Sequence, residues 1–535
     1  MSPEEFQRAS RLALQNRDYR RLVHLCQAMR KVRPAYADAW FLESVAAEAG
    51  RNIAAAVKLV DQALTLDPKN GEYLVQKARY HASAGQMGEA RESAEAAQTA
   101  GASGPSQLNT LGVVFTRLGA HQAAAKALRQ SVEASATNPH SQFNLAAAEQ
   151  FLGNDDAARF HYEEAIRLQP TNARSYWALS ELDKNAVSER YEAAMRKLAS
   201  SPSLSVNDAL YLAHALARID EHRGDYATAI QRLSEAKARR RAQLNYRFDE
   251  DRQVFDALHD AYPGEVTTDT GEAPGASAEG TVRPLFIVGL PRTGTTLLER
   301  MLCAHDAVDT LGELQDLPMA LKRLSRTPGP RVLSPEVIAA TATAPITLRE
   351  AYLDSIAIRM RELGSGLRYH IDKTPLNALL LGHIARHLPD AKIILLRRHA
   401  MDAGLSNYRQ LFSLEYSYYN YSYDLEDTGR YIAAFEALMA HWHRVLGSRM
   451  HILDYEDLVA EPEQRLRDTL NYLELPWQDA CLNFHERGGS VATPSNSQVR
   501  QPVYRTAVER WKRYGDALRP LRDALDRSGY EYQKL

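Results

Sequence analysis

Small and apolar residues recur at helical spacing through the first 245 positions. Ala54, Ala55, Ala56, Leu59, Val60 and Leu64 form one stripe, and Ala123, Ala124, Ala125, Leu128 and Val132 another. This is the i, i+3, i+4 pattern of a helix with one buried face. Regular punctuation separates the stripes. Gly50, Gly85, Gly119 and Gly153 follow one another at steps of 35, 34 and 34 residues. Pro34 and Pro68 are 34 apart, as are Pro105 and Pro139, and Pro170 follows after 31. Glycine is expected to end the first helix of each pair, where the chain turns. Proline is expected to stop the second. The segment NARSYWALSEL opens another pair after Pro170, the pattern blurs over 184–206, and it returns at Ala209–Gly224 and in DYATAIQRLSEAKARRRA. A period near 34 predicts stacked helix pairs, an all-α superhelix with a concave face suited to a protein partner.

The pattern then changes. Residues 262–282 are rich in Gly, Pro, Thr, Ala and Glu and read as a flexible linker. Leu285-Phe286-Ile287-Val288 is a short, wholly apolar run followed by turn residues, as expected of a buried parallel strand. Leu297, Leu298, Met301 and Leu302 mark the helix after it, and Lys392–Arg397 reads as a second strand entering a turn and helix. The expected organisation is a helical-repeat domain over 1–261, the linker, and an α/β three-layer domain with a parallel sheet over 283–535.

Composition adds limits. Of 535 residues, 65 are Lys or Arg and 67 Asp or Glu, a formal charge of −2. Nothing global draws such a chain to nucleic acid or an anionic membrane. The basic run Lys237–Arg241 is short and lacks interleaved aromatics, so it reads as a solvated helix face. The three cysteines, Cys26, Cys303 and Cys481, are far apart and show no CxxC spacing. That argues against a disulfide framework or structural zinc. With no apolar leader or membrane-length run, the expectation is a cytoplasmic protein.

Gly289-Leu290-Pro291-Arg292-Thr293-Gly294-Thr295-Thr296 follows the first strand. The G-x-x-x-x-G spacing and the strand–loop–helix order are those of a phosphate loop, whose amides hold an anion. Thr295 stands where a nucleoside triphosphatase loop requires Lys. Arg292 supplies positive charge instead. A kinase of the P-loop class is therefore disfavoured, though a Mg·ATP requirement would revive it.

Arg-x-Gly-Thr-Thr after a buried strand resembles the 5′-phosphosulfate loop of sulfotransferases that use 3′-phosphoadenosine 5′-phosphosulfate (PAPS). Arg398, Asp402 and Ser406 match that family's 3′-phosphate segment, while His399 and Ala400 replace its acidic residue and proline. Residues 284–515 most resemble the tyrosylprotein sulfotransferases and their bacterial relatives, and residues 5–245 resemble tetratricopeptide repeats. The resemblance implies a P-loop NTPase-like sulfotransferase fold with PAPS as donor, PAP as product and no metal. It implies Glu313 as catalytic base, with Lys373 and Arg292 near the transferred group. Arg292, Thr293, Gly294, Thr295, Thr296, Arg398, Ser406, Tyr455, Ser495 (with Ser497 as rival) and Arg510 would contact the nucleotide. Arg510 stands where the family has Lys. His305 would be structural. Gln315 and Met319 replace two arginines that help hold an acidic peptide in that family.

The implied reaction is in-line transfer of a sulfuryl group to an acceptor hydroxyl, on a protein tyrosine, glycan, lipid or small phenol. Its catalysis is positioning, a base and cations near the leaving oxygen. The repeats would recruit a protein substrate or form a dimer contact. A scaffold with an inactive transferase-like domain is the alternative, and retention of Arg292, Glu313, Lys373, Arg398 and Ser406 argues against it. The Tyr-dense stretch between Phe412 and Tyr431 reads equally as an acceptor-side wall or lid and as ring packing on the sheet. Tyr419, Tyr421 and Tyr423 beside Asp424, Glu426 and Asp427 also suggest self-sulfation.

Overall fold

Helix pairs form where the 34-residue period places them. In this computed structural model the described residues are 2–182, 187–266, 282–361, 363–414, 417–486, 503 and 505–530. Ala37–Ala49 pairs with Ile53–Leu66, Gly71–Ser83 with Met87–Thr99, Pro105–Arg117 with His121–Ala134, and Pro139–Leu152 with Asp155–Leu168. Gly85, Gly119 and Gly153 take positive φ of 75°, 73° and 83° at the turns inside their pairs, a region open to glycine at no steric cost. The alanine stripes are the contact faces: Ala56, Ala63, Ala90, Ala94, Ala124 and Ala125 are fully buried. The prolines divide into two roles. Pro34 and Pro68 lie just beyond Val32 and Leu66, as expected. Pro105 and Pro139 are instead the first residues of the following helices. There the missing N–H costs nothing and the fixed φ favours helix entry.

Two compact units are present, Met1–Leu182 and Asp183–Gly489 with Thr493–Leu535. The second holds a five-stranded sheet, β1 (Arg283–Gly289), β2 (Val308–Thr310), β3 (Tyr369–Asp372), β4 (Lys392–Arg397) and β5 (Met450–Asp454). Its order is β2-β3-β1-β4-β5 and every pair is parallel. Alternation along the strands sends side chains to both faces. Phe286, Val288, Ile393 and Leu395 enter one core, and Leu285, Ile287, Ile394 and Leu396 the other. That accounts for the unbroken apolar runs, since a parallel sheet is covered on both sides.

The repeat-like helices Val206–His222, Tyr226–Leu244 and Phe248–Ala261 share the first of these cores, through Ala217, Ile230, Leu233, Phe255 and Leu258. The division into units therefore precedes them and does not coincide with the compositional boundary at 262–282. The start of that expected linker is packed too. Tyr262 and Val266 are buried, and Tyr262 lies against Gly382 so closely that a Cβ there would meet its ring at 2.6 Å. Residues 267–281 lie outside the described residues.

The basic run corrects its expectation. Lys237 is fully buried and donates to the Ser422 carbonyl at 2.8 Å, with the Tyr408 and Tyr423 rings 4.8 and 5.3 Å from its ammonium. Arg240 donates to the Leu414 carbonyl and Arg241 pairs with Asp427. One side of the run is packed against Tyr-rich chain and carbonyl groups, while Ala238 and Arg239 stay exposed as expected. Burial pushes the Lys237 pKa down to about 7, and buried His214 faces it from helix Val206–His222. Between pH 7 and the ordinary lysine value the unfolded chain holds a proton that the folded one releases, so stability rises with pH across that window. Lys237→Met should therefore flatten the rise in melting temperature between pH 7 and 9. Parallel melting curves for the two proteins would show that Lys237 keeps an ordinary pKa.

Among the described residues no helix is long and apolar enough to cross a membrane.

Candidate functional site

The carboxyl ends of parallel strands are where an open α/β sheet places ligands, because loops diverge there to opposite faces. Here β1, β4 and β5 end side by side. The loop after β1 leads into helix Thr295–Leu302. Arg292 adopts φ 67° and Gly294 φ 104°. The arginine pays conformational strain that glycine would avoid. Gly294 admits no side chain, since a Cβ would lie 2.5 Å from the Tyr455 ring. The loop is pinned from within and without: Thr293 Oγ1 donates to the Leu290 carbonyl at 2.7 Å, and Asn407 Nδ2 donates to the Pro291 carbonyl at 2.8 Å.

Arg398 stands just past β4 and Tyr455 just past β5. The Arg398 guanidinium lies 4.8 Å from the centroid of the Tyr455 ring and donates to the Arg292 carbonyl at 3.1 Å and the Ala507 carbonyl at 2.5 Å. Its Nε is buried and unpartnered, as is that of Arg510. Ser406 lies two helical turns beyond Arg398, on helix Ala400–Arg409.

Glu313 and Lys373 follow the neighbouring strands β2 and β3, which brings residues 60 apart in sequence into contact. Lys373 Nζ donates to Glu313 Oε1 at 2.6 Å and lies 3.7 Å from Glu299 Oε2. The lysine side chain is wholly buried, whereas 44% of the Glu313 side chain is exposed. Burial alone would lower the Lys373 pKa, but Glu299 and then Glu313 outweigh it and hold it above the ordinary value. Glu299 also accepts from Thr310 Oγ1 at 2.6 Å. Beside the lysine, burial pushes Asp372 up to about 7 despite hydrogen bonds from Thr374 and Tyr352.

Arg292, Gly294, Thr295, Thr296, Glu313, Arg398, Ser406, Tyr455 and Arg510 line one cavity of about 760 Å³. Thr293 and Lys373 are buried, the first serving the loop and the second touching Glu313. Ser495 and Ser497 lie outside the described residues. His305 is buried, with Nε2 3.0 Å from the Pro476 carbonyl and Nδ1 accepting from the Ala307 N–H. It is occupied structurally.

Sequence reading missed three contributors. Glu299 looked like an ordinary helical carboxylate; only the fold sets it beside Lys373. Asn407, held by the Tyr421 hydroxyl at 2.8 Å, braces the backbone of the loop after β1. Glu221, in the repeat-like helix Val206–His222, accepts from Arg409 and Tyr514 and lies 3.5 Å from Arg510. Burial would push the Glu221 carboxyl up, but Arg409 and Arg510 together hold it below the usual range. No local motif marks Glu221, because its partners lie almost 200 and 300 residues away.

The Tyr-dense stretch divides between its two readings. Phe412, Tyr418, Tyr419 and Tyr431 line the cavity. Tyr421 and Tyr423 are buried, Tyr421 stacked on Tyr431 at 3.8 Å. Burial removes Tyr421 and Tyr423 as acceptors for self-sulfation.

Residues 284–479 match the family model described as Sulfotransferase family, and residues 139–172 that described as Tetratricopeptide repeat. An uncharacterized protein of Aquifex aeolicus (strain VF5) is 30% identical over 348 residues, covering 64% of this chain and 44% of that protein. Protein-tyrosine sulfotransferase 1 of Danio rerio is 26% identical over 246 residues, 42% of this chain and 65% of its own length. The Homo sapiens protein of the same name is 25% identical over 238 residues, 42% of this chain and 62% of its own. The chain thus spans less than two thirds of each of these relatives. A solved tetratricopeptide repeat protein from Parabacteroides merdae covers 44% of this chain and 92% of its own, at 15% identity and a TM-score of 0.33. Residues 284–479 are thus similar to sulfotransferases, and residues 139–172 to tetratricopeptide repeats.

Proposed function

We propose that this chain transfers a sulfuryl group from PAPS to an acceptor hydroxyl, a protein tyrosine being one such acceptor. The supporting observation is convergence: the phosphate-type loop, Arg398, Ser406, Tyr455 and Arg510 meet around the same cavity as the Lys373-bound Glu313. The unpartnered Nε atoms of Arg398 and Arg510 suit a phosphorylated nucleotide. The donor supplies the activated sulfuryl group. Loop amides with Arg292, Thr295 and Thr296 hold its 5′ end, and Arg398 with Ser406 holds its 3′-phosphate through a guanidinium fork and a hydroxyl. Glu313 accepts the acceptor's proton. Lys373 steadies Glu313 and supplies positive charge close to the reacting group. The tetratricopeptide repeats bring a protein partner or a second copy to the enzyme.

The test is a thermal-shift titration with 3′,5′-ADP against Mg·ATP and 5′-AMP. A ligand bound at a hundred times its Kd adds about 2.7 kcal/mol to stability, enough to raise the melting temperature by several degrees. Arg398→Ala should weaken 3′,5′-ADP by about 10- to 100-fold, the worth of a hydrogen-bonded charge. Stabilisation by Mg·ATP alone would point to a kinase. No response in folded protein would point to a scaffold.

A further inference from the structure

The part of the cavity lining that the donor reading leaves unused carries information about the acceptor. It includes Val254, Leu321, Leu333, Phe412, Tyr246 and Tyr419. Phe412 and Tyr419 stack at 4.1 Å, and Tyr418 meets Tyr419 edge-on at 4.5 Å. Such a surface suits an aromatic ring.

The acidic groups on this part of the lining are unfavourable to an acid-flanked acceptor. Glu250 and Asp251, from helix Phe248–Ala261, both line it. Setting aside Arg292 in the loop, Arg398, and the Glu221-bound Arg409 and Arg510, Arg331 is the one cation among the described lining residues. It is already paired with Glu250. Asp251 accepts from the Tyr246 hydroxyl at 2.6 Å, and burial raises its carboxyl only to about 6, so it is mostly anionic at neutral pH. A carboxylate beside the acceptor hydroxyl would meet Asp251 as like charge, while Arg331 is already engaged by Glu250.

We infer that the acceptor end takes an uncharged, apolar-flanked phenol in preference to an acid-flanked one, with Tyr246, Glu250 and Asp251 setting that preference. The inference rests on the transfer reading above. It also assigns a role to the α-helical region: Leu244–Val254, outside the catalytic motifs, selects the acceptor. A free phenol and a tyrosine between neutral residues share the recognised chemistry.

The experiment uses the full chain with labelled PAPS and three acceptors: 4-propylphenol, a capped peptide with Tyr between alanines, and the same peptide with Tyr between glutamates. The expected kcat/KM for 4-propylphenol or the alanine peptide exceeds that for the glutamate peptide by about tenfold or more, equivalent to about 1.4 kcal/mol. Which neutral acceptor leads identifies the source. Asp251→Asn, isosteric with the native residue, should narrow the neutral-to-acidic ratio, as should Glu250→Gln if the first variant folds poorly. Equal or better turnover of the glutamate peptide overturns the inference, as does stabilisation by 3′,5′-ADP without turnover of any of the three. If 3′,5′-ADP neither stabilises the protein nor any acceptor is labelled, the transfer reading itself fails.

Discussion

Glu313→Gln should lower turnover by about 10²- to 10⁴-fold, the usual contribution of a positioned general base, while 3′,5′-ADP still stabilises the protein fully. The substitution separates chemistry from shape. Glutamine matches glutamate in size and offers Lys373 the same oxygen acceptor that Glu313 Oε1 offers at 2.6 Å, but it cannot take a proton at neutral pH. Glu313 is half exposed to the cavity and Lys373 holds one of its oxygens, which leaves the other for an incoming hydroxyl. Single-turnover labelling with PAPS and a thermal shift with 3′,5′-ADP on the same sample provide the two readouts. Unchanged turnover would remove Glu313 as the base. Equal loss of turnover and nucleotide binding would mean that it shapes the donor site instead.

Lys373→Met should cost both activity and stability. The ammonium is fully buried with Glu313 on one side and nearly buried Glu299 on the other. Removing one partner of a buried ion pair costs about 3–5 kcal/mol, because the remaining charge keeps its desolvation penalty without compensation. Glu299 would retain only Thr310 among the contacts described above. The second variant distinguishes structural from chemical roles. Lys373→Met combined with Glu299→Gln removes the stranded charge as well, and should recover much of the lost stability by denaturant titration. It should not recover turnover. Recovery of both would reduce Lys373 to a structural residue.

Much of this site was legible from local pattern. The phosphate-type loop announces itself through an apolar strand, two glycines and an amphipathic helix in fixed order, and β4 occupies the expected Lys392–Arg397. Arg292, Glu313, Lys373, Arg398 and Tyr455 were reached through motif likeness, and the fold gathers them at adjoining strand ends. What motif reading could not supply was the company they keep. Lys373 read as a cation for the transferred group; the fold shows it buried between two carboxylates. Lys237 read as solvated because the basic run is short and lacks interleaved aromatics, whereas its neighbours in space are rings and carbonyls.

Periodicity and strand hydrophobicity are short-range properties, so the chain alone specified repeating helix pairs, a parallel sheet and the strand–turn–helix around Gly289 and Gly294. Their cause lies within a few residues: small side chains on one helical face, glycine where φ turns positive, unbroken apolar runs where both faces of a strand are covered. Tertiary structure alone decided which helices share a core with the sheet. It placed Glu221 against Arg409 and Arg510, and turned Tyr246, Glu250 and Asp251 into a cavity wall. Those pairings join residues tens to hundreds of positions apart, and their burial and charge balance arise only when the elements pack.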